Sequence, residues 1–259
     1  MLGKMEQGSD YEEVLTEAQE LGYAEADPTA DVEGLDVRAK IAIMAKLAFG
    51  VTVPPDTVPC KGISQITAID FEYSKLLHTT IKLVGVAGRK SRFAEYDGAL
   101  SVYVTPVMIP NTHSLASVGE SGNAIAVTSA NMGTCLYTGP GAGRFPAANS
   151  VVADIIRTAN NITATTEDPP FPLQSTIDLD HDYTKPFYVR IPFMDSLGII
   201  RKLGELAEVH NVSIHSILQN PITDRMEADF CLITEECKLS QIEALCEDLE
   251  EEEFVRSPP

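Results

Sequence analysis

A cluster of acidic residues lies close to one lysine where a loop leads into a predicted helix. Glu25 and Asp31 fall in the loop, and Asp36 and Lys40 fall four residues apart on the helix. Residues with that spacing are neighbours on a helix surface, so the carboxylate and the ammonium should meet. Carboxylates beside one ammonium suit a small polar substrate with an amine and a hydroxyl, because the acids would hold the substrate ammonium while the lysine transferred a proton. The same spacing is typical of a surface ion pair worth about 0.3–0.5 kcal/mol, and the pair alone does not separate the two interpretations.

A glycine-rich segment at residues 139–143 follows a predicted strand and precedes a predicted helix. Glycines in such a turn let a ligand approach the backbone closely, and a helix that starts near Pro146 offers free N–H groups to an anion. The spacing is not the G-x-G-x-x-G of a dinucleotide-binding loop. A glycine-rich turn is also typical of an ordinary connection, so this segment needs further support.

The composition excludes several classes of protein. The 259 residues carry a formal net charge of −19, which argues against nucleic acid and anionic membranes as partners because both attract Lys and Arg. No apolar run approaches the ~20 residues that span a bilayer, and the first residues have no hydrophobic signal-peptide core. The five cysteines form no CxxC pair and have no zinc-ligand spacing with a histidine. We therefore expect reduced thiols, no metal site and a cytoplasmic location.

Helices and strands that would position these residues follow from hydrophobic periodicity. The helix at residues 10–21 has Val14, Ala18 and Leu21 on one face, with Asp10 as its cap. The helix from about residue 34 or 36 to residue 49, which ends at Gly50, has an apolar face formed by Val37, Ile41, Met44 and Ala48. Further helices are predicted at residues 69–76 and 147–159, and strands of one sheet at residues 80–87, 100–108, 123–129 and 134–138.

A second module follows a linker. Residues 164–184 are rich in Thr, Pro and Asp without periodicity, which is typical of a linker. The order after them is a strand at 187–191, a helix at 199–209, strands at 212–218 and 228–234, and a helix at 239–249. This β-α-β-β-α order predicts a ferredoxin-like α+β sandwich. The predicted domains are therefore residues 1–163 and 185–259.

Three segments in this order resemble the homoserine dehydrogenase family: residues 22–40 (GYAEADPTADVEGLDVRAK), residues 106–118 (PVMIPNTHSLASV) and residues 139–155 (GPGAGRFPAANSVVADI). The resemblance implies an α+β catalytic region, a mixed sheet with helices on one face. It also implies NAD- or NADP-dependent interconversion of L-homoserine and L-aspartate 4-semialdehyde, a step of threonine, methionine and isoleucine biosynthesis. On this resemblance Lys40 matches the catalytic proton donor, Glu25 and Asp36 match substrate-binding carboxylates, and Asp31 matches an acid of the same pocket.

The resemblance also assigns Gly143 to the glycine whose backbone approaches the nicotinamide, although Ala147 stands where the family usually has threonine. Residues 187–250 are similar to the amino-acid-sensing ACT domain, in which Asp195, Gly198 and Ile199 would form the effector-binding turn. Leu197 stands where proline is more usual. Threonine is the effector expected by analogy, and a homo-oligomer formed through the strands of residues 100–138 is expected from the family.

The family's Rossmann domain, with its glycine-rich loop, a second site lysine and a monovalent-cation loop, has no counterpart in these residues. This departure predicts either a shortened gene product or a second chain that supplies the missing half, and it leaves a plastid location open if a targeting peptide lies upstream. The alternative function is a non-catalytic amino-acid-binding or assembly module derived from the enzyme.

Overall fold

Two units make up the chain in the computed structural model, one from Met1 to Leu179 and one from Asp180 to Pro259. The structure describes residues 1–21, 24, 26–89, 99–119, 122–141, 143–161, 178–222 and 224–259. No helix in these ranges is long and apolar enough to cross a membrane. Of the predicted linker, residues 164–177 lie outside the described residues. Leu179, beyond them, packs on the core of the first unit, and Tyr183 is buried in the second.

The first unit begins with helices and continues with two long antiparallel strand pairs. Its helices are α1 (Leu2–Met5), α2 (Tyr11–Glu20), α3 (Thr29–Val32), α4 (Leu35–Phe49), α5 (Ala68–Leu76) and α6 (Arg144–Asn160), with a 3₁₀ turn at Pro55–Thr57. Its strands are β1 (Thr79–Arg89), β2 (Leu100–Pro110), β3 (Gly122–Ser129) and β4 (Gly133–Pro140).

The strands of the first unit form two separate sheets. β1 pairs with β2 over its whole length, and β3 pairs with β4 in the same way. The predicted single mixed sheet is therefore not found among the described residues, where the parallel neighbours of β2 are single bridges at Cys60 and Leu179. α4 and α5 cover one face of β1, as predicted: Phe71 of α5 packs with Ile81, and α4 lies against Gly85, four residues further along the same face.

The helix ends confirm the sequence signals, whereas the buried faces differ from the prediction. Asp10 accepts a hydrogen bond from the Glu12 N–H at 3.2 Å and caps α2. α4 ends at Gly50 in the left-handed conformation. Leu21, predicted for the buried face of α2, is 59% exposed, whereas Val14 is buried and Tyr11 packs half-buried against the same core.

In α4 the core is formed by Ala42 and Ala45, with Val37 and Ile41 half-buried, while Ala48 is exposed. The helix packs on the densest part of β2, where every residue from 100 to 104 is buried. Small alanines let α4 approach those strands closely. The fully buried residues of α4 thus follow Lys40, while Val37, which precedes it, packs half-buried against the same core.

The second unit packs two helices on a three-stranded antiparallel sheet of order β6-β8-β7. Its elements are β5 (Thr184–Lys185), β6 (Tyr188–Phe193), α7 (Ile199–Val209), β7 (Ile214–Gln219), β8 (Ala228–Thr234), β9 (Cys237–Lys238) and α8 (Leu239–Glu250). Leu203 of α7, Leu245 of α8 and Leu232 of β8 are fully buried in one core. On the edge of β6 that faces away from β8, Phe193 forms an antiparallel bridge with Val255.

The start of α8 is capped by Asp182, which lies far away in sequence. The Asp182 carboxylate accepts hydrogen bonds from the Ser240 N–H at 2.9 Å and the Ser240 hydroxyl at 3.0 Å, and Lys238 Nζ lies 3.5 Å away. Burial raises the pKa of Asp182, but the Ser240 hydrogen bonds and Lys238 together outweigh burial and lower that pKa. The ionised carboxylate is thus the form that stabilises the fold.

We expect Asp182→Ala to lower the free energy of unfolding of the second unit by about 1 kcal/mol at neutral pH, because α8 loses its cap. Since the folded-state pKa is lowered, the stabilisation is present above the ordinary aspartate pKa and is lost as the pH falls through the lowered value. Urea unfolding followed by the amide signals of α8 at several pH values checks this. Glu243→Ala, at an exposed position of α8, should cost far less, and an equal loss in both variants would contradict the role of the cap.

Candidate active site

Two of the predicted site residues, Asp31 and Asp36, flank a sharp turn between two helices. α3 carries Asp31, and the chain passes through Gly34 into α4, whose first turn carries Asp36. Gly34 adopts a left-handed conformation with φ of +75°, which glycine adopts without steric cost. Lys40 follows one turn after Asp36, so the turn at residues 32–34, here called the hinge, sets the position of both functional segments.

Asp36 and Lys40 meet as their spacing predicts. Lys40 Nζ donates to Asp36 Oδ2 at 2.5 Å. The side chains are 62% exposed for Lys40 and 43% exposed for Asp36, so the pair faces solvent and contributes only a few tenths of a kcal/mol to stability. Asp36 also lies in the first turn of α4, where the helix dipole favours a negative charge. The arrangement can hold an ammonium near the carboxylate and offer a proton from Nζ.

The other acidic residues of this segment precede Asp36. Asp31 is exposed on α3, five residues before Asp36. Glu25 lies outside the described residues. In the loop before α3, the hydroxyl and the backbone N–H of Thr29 donate to Asp27 and lower the pKa of that carboxyl. The Asp27 carboxylate is therefore ionised at neutral pH.

Gly143 precedes α6 with an open backbone. Its φ is +107°, and a Cβ built there would meet only the Pro146 ring within 4 Å, at 3.8 Å. Its carbonyl accepts the N–H of Ala147 at 3.2 Å, at the start of α6. Among the described residues no hydrogen bond or ion pair joins Gly143 to Asp36 or Lys40. The structure thus brings Asp36 and Lys40 together, and the role of Gly143 stays a prediction.

A loop at residues 59–63 lies against the hinge, and this contact is what sequence reasoning missed. The Ile63 N–H donates to the Val32 carbonyl at 2.8 Å, and the Cys60 thiol donates to the Glu33 carbonyl at 3.2 Å. Burial raises the pKa of the Cys60 thiol, Arg38 opposes that shift and Glu33 adds to it, so the thiol stays protonated as a donor. The prolines at 54, 55 and 59 indicate a loop but give no signal of its partner.

Of the three residues predicted for the effector turn of the second unit, Gly198 and Ile199 lie together and Asp195 lies outside their depression. Gly198 starts α7 with φ of +92°, and Gly198 and Ile199 line an open depression together with Lys202 and Glu252, whose side chains form an ion pair of 2.9 Å. Asp195 does not line this depression. Its carboxylate lies 3.6 Å from Arg225 Nε, and its N–H donates to the Arg225 carbonyl.

The comparison with known families decides what kind of protein carries this site. A family model described as homoserine dehydrogenase matches residues 1–156, more than half of the chain. The chain belongs to the homoserine dehydrogenase family. The match includes the hinge, Asp36, Lys40 and Gly143, so it confirms the resemblance carried by the three sequence segments.

Relatives extend the similarity over the second unit. The homoserine dehydrogenase of Synechocystis sp. is 38% identical over 261 residues, 98% of this chain and 60% of the relative. The NAD(+)-dependent homoserine dehydrogenase of Pseudomonas canavaninivorans is 40% identical over 163 residues, 63% of this chain and 45% of the relative. A solved homoserine dehydrogenase from Thiobacillus denitrificans has a TM-score of 0.84 at 29% identity and covers 99% of this chain. The chain spans about three fifths of the length of the first and third of these relatives.

Proposed function

We propose that this chain forms the substrate-binding and proton-transferring part of a homoserine dehydrogenase, which interconverts L-homoserine and L-aspartate 4-semialdehyde. The observation that carries the proposal is the contact of Asp36 with Lys40 directly after the hinge, within the segment that the family model matches. Glu25, Asp31 and Asp36 would hold the ammonium of the substrate. Such a site suits an amino acid whose side chain ends in an alcohol or an aldehyde.

Lys40 acts as the proton donor in the reductive direction. When the aldehyde carbon gains a hydride, the carbonyl oxygen becomes an alkoxide and takes a proton from the Lys40 ammonium; in the oxidative direction the neutral amine takes the proton back. Asp36 keeps the ammonium oriented from one turn earlier on the same helix. Both groups start from a solvent-exposed position, so the chemistry needs further protein to exclude water.

A nicotinamide cofactor, NAD or NADP, supplies or accepts the hydride. Gly143 suits one edge of such a site, because its positive φ and open surroundings let a flat ring approach the backbone. The sequence contains no G-x-G-x-x-G loop for the dinucleotide phosphates. We infer that a nucleotide-binding domain outside these 259 residues completes the cofactor site.

Substitution of Lys40 tests the catalytic role. In an enzyme completed by a nucleotide-binding domain, we expect Lys40→Ala to lower kcat by about 10²–10⁴-fold with a smaller change in KM, because a proton donor is lost. Steady-state rates followed by nicotinamide absorbance measure this. Lys46→Ala, near the end of the same helix, is the control and should retain full activity. The exposed pair contributes below about 0.5 kcal/mol to folding, so normal turnover of folded Lys40→Ala would overturn the mechanism.

A homo-oligomer is proposed from the apolar surface of the first unit. α6 has no buried residue, although Val151, Val152, Ile155 and Ile156 form an apolar stripe, each more than half exposed. The β3–β4 hairpin has no buried residue either, and a two-stranded hairpin is marginally stable alone in water. A second copy that covers the stripe and extends the hairpin would remove this exposure.

Charged substitutions in this stripe test the oligomer. We expect the wild-type chain to elute as a dimer or larger species in size-exclusion chromatography with light scattering. Val152→Asp with Ile156→Asp should dissociate it, because each substitution places a carboxylate in an apolar interface. Ser150→Asp adds a charge to the opposite face of α6 and should leave the assembly intact. A monomeric wild-type chain would contradict the proposal.

An amino-acid effector site, part of an ACT domain, is proposed for the second unit. The β-α-β-β-α order and the sheet order β6-β8-β7 support the ferredoxin-like arrangement. The depression beside Gly198 offers N–H groups and Lys202 to a carboxylate, and Glu252 to an ammonium. A zwitterionic amino acid, threonine by family analogy, matches that pair of charges.

Calorimetric titration with L-threonine tests this site. We expect saturable binding at millimolar or lower concentration, and at least about a tenfold loss in Gly198→Ala, because the positive φ at Gly198 strains any side chain. Gly204→Ala is the matched control within α7, since a Cβ there meets no atom within 4 Å. Equal binding by both variants would refute the assignment of the turn. Absence of both threonine and cofactor binding would instead favour an assembly module.

A further inference from the structure

The loop at residues 59–63 connects the hinge to β2. Its parallel bridge to β2 is made at Val104, where the Val104 N–H donates to the Pro59 carbonyl at 2.8 Å and the Lys61 N–H donates to the Val104 carbonyl at 2.9 Å. Val104 is 2% exposed and belongs to the core under α4. One side of the loop is therefore hydrogen-bonded to a strand residue in the buried core of the unit.

The other side of the loop caps the end of α3. The carbonyls of Val32 and Glu33 lie at the last residues of a helix, where no further helical N–H can reach them. They accept the Ile63 N–H and the Cys60 thiol instead. Gly34 follows directly, and a Cβ on Gly34 would lie 3.2 Å from Cys60 Sγ and from Val104 Cγ1. The loop thus fixes the backbone from which α4 departs.

Gly62 is the point of closest approach. A Cβ built on Gly62 would lie 2.4 Å from the Val32 carbonyl oxygen and 2.5 Å from Glu33 Cα. The backbone of Gly62 does not need a positive φ, so glycine is required for space and not for torsion. Both of these contacts are backbone atoms, which a rotamer change cannot move away. A side chain at position 62 must displace the hinge or the loop.

We propose that Gly62 is a positioning residue for substrate binding. The inference rests on the proposed function, because it takes Asp31 and Asp36 as groups that hold the substrate ammonium. Asp31 precedes the hinge and Asp36 lies two residues after Gly34, so displacement of the hinge by about half an ångström or more separates the acids from their binding geometry. Val37, next to Asp36, packs half-buried against the core, whereas Ala42 and Ala45 further along α4 are buried. We therefore expect Gly62→Ala to shift the first turn of α4 while the buried part of the helix keeps the fold.

The test compares glycines in the 259-residue chain by calorimetric titration with L-homoserine. We expect Gly62→Ala to raise Kd by about tenfold or more. Gly88→Ala is the matched control on β1, where a Cβ meets no atom within 4 Å, and it should bind as the wild type does. A merely structural role would reduce the fraction of competent molecules and leave Kd unchanged. Gly62→Ala that is folded and binds with wild-type Kd would overturn the proposal.

Substitutions of Cys60 keep the proposal testable if Gly62→Ala does not fold. Cys60→Ala removes the donor to the Glu33 carbonyl and should weaken homoserine binding, whereas Cys60→Ser restores a donor and should recover it. Equal Kd values for the wild type, Cys60→Ala and Cys60→Ser would contradict positioning by the loop.

Hydrogen exchange separates failure of this inference from failure of the proposed function. If the wild-type chain does not bind homoserine, substrate binding by this chain is refuted, and the loop is judged by exchange of the Ile63 amide and of the Arg38 amide, which donates to Gly34. Faster exchange of both in Gly62→Ala, and not in Gly88→Ala, supports control of the hinge by the loop. Unchanged exchange overturns it.

Discussion

The position of the Asp36–Lys40 pair depends on the backbone contacts that hold the hinge to β2. The pair itself is exposed and contributes little free energy, so its own attraction cannot fix where α4 begins. The hydrogen bonds from Ile63 and Cys60 to the end of α3 do this, because they join the hinge to a loop already paired with buried Val104. The proposed chemistry of the site thus relies on exposed side chains whose backbone is held by the core.

The apolar surfaces of the first unit indicate where further protein belongs. Buried side chains are concentrated in α4, α5, β1 and β2, whereas α6 and the β3–β4 hairpin bury none. The stripe on α6 has the periodicity of a helix that packs on another element, and no such element lies among the described residues of its unit. Together with the three-fifths share of the relatives' length, this exposure supports the proposal that further protein covers the first unit.

Local sequence signals predicted much of the fold. Helix spacing placed Asp36 beside Lys40, Asp10 capped α2, and Gly50 ended α4, because each of these depends on residues within one or two turns. The buried face of α4 was less predictable: Ala42 and Ala45 are buried, whereas Ala48, with the same apolar character, is exposed. Which of these alanines becomes buried depends on the direction from which the strands pack against α4, and that direction is a property of the tertiary fold.

Long-range backbone contacts account for what sequence reasoning missed. The loop at residues 59–63 meets the hinge about thirty residues earlier and β2 about forty residues later, and neither partner leaves a periodic signal in the loop. The four strands form two separate pairs, β1–β2 and β3–β4, which the sequence did not predict. Alternation of polar and apolar residues indicates that a segment is a strand, but it does not specify which other strand it pairs with.

Exclusion of water links the exposed pair to its proposed chemistry. In bulk solvent an ion pair at the distance of Lys40 Nζ from Asp36 Oδ2 is weak, but the same charges interact several times more strongly when the effective dielectric falls. A nucleotide-binding domain and a substrate that cover the pair would lower the effective dielectric around it. The stronger interaction aids catalysis most when the hinge already holds both groups in their reactive positions, because no reorganisation is then needed at the moment of reaction. In the proposed enzyme, close packing at Gly62 would fix the backbone before the substrate binds, and the exposed Lys40 would gain its electrostatic benefit when the site is covered.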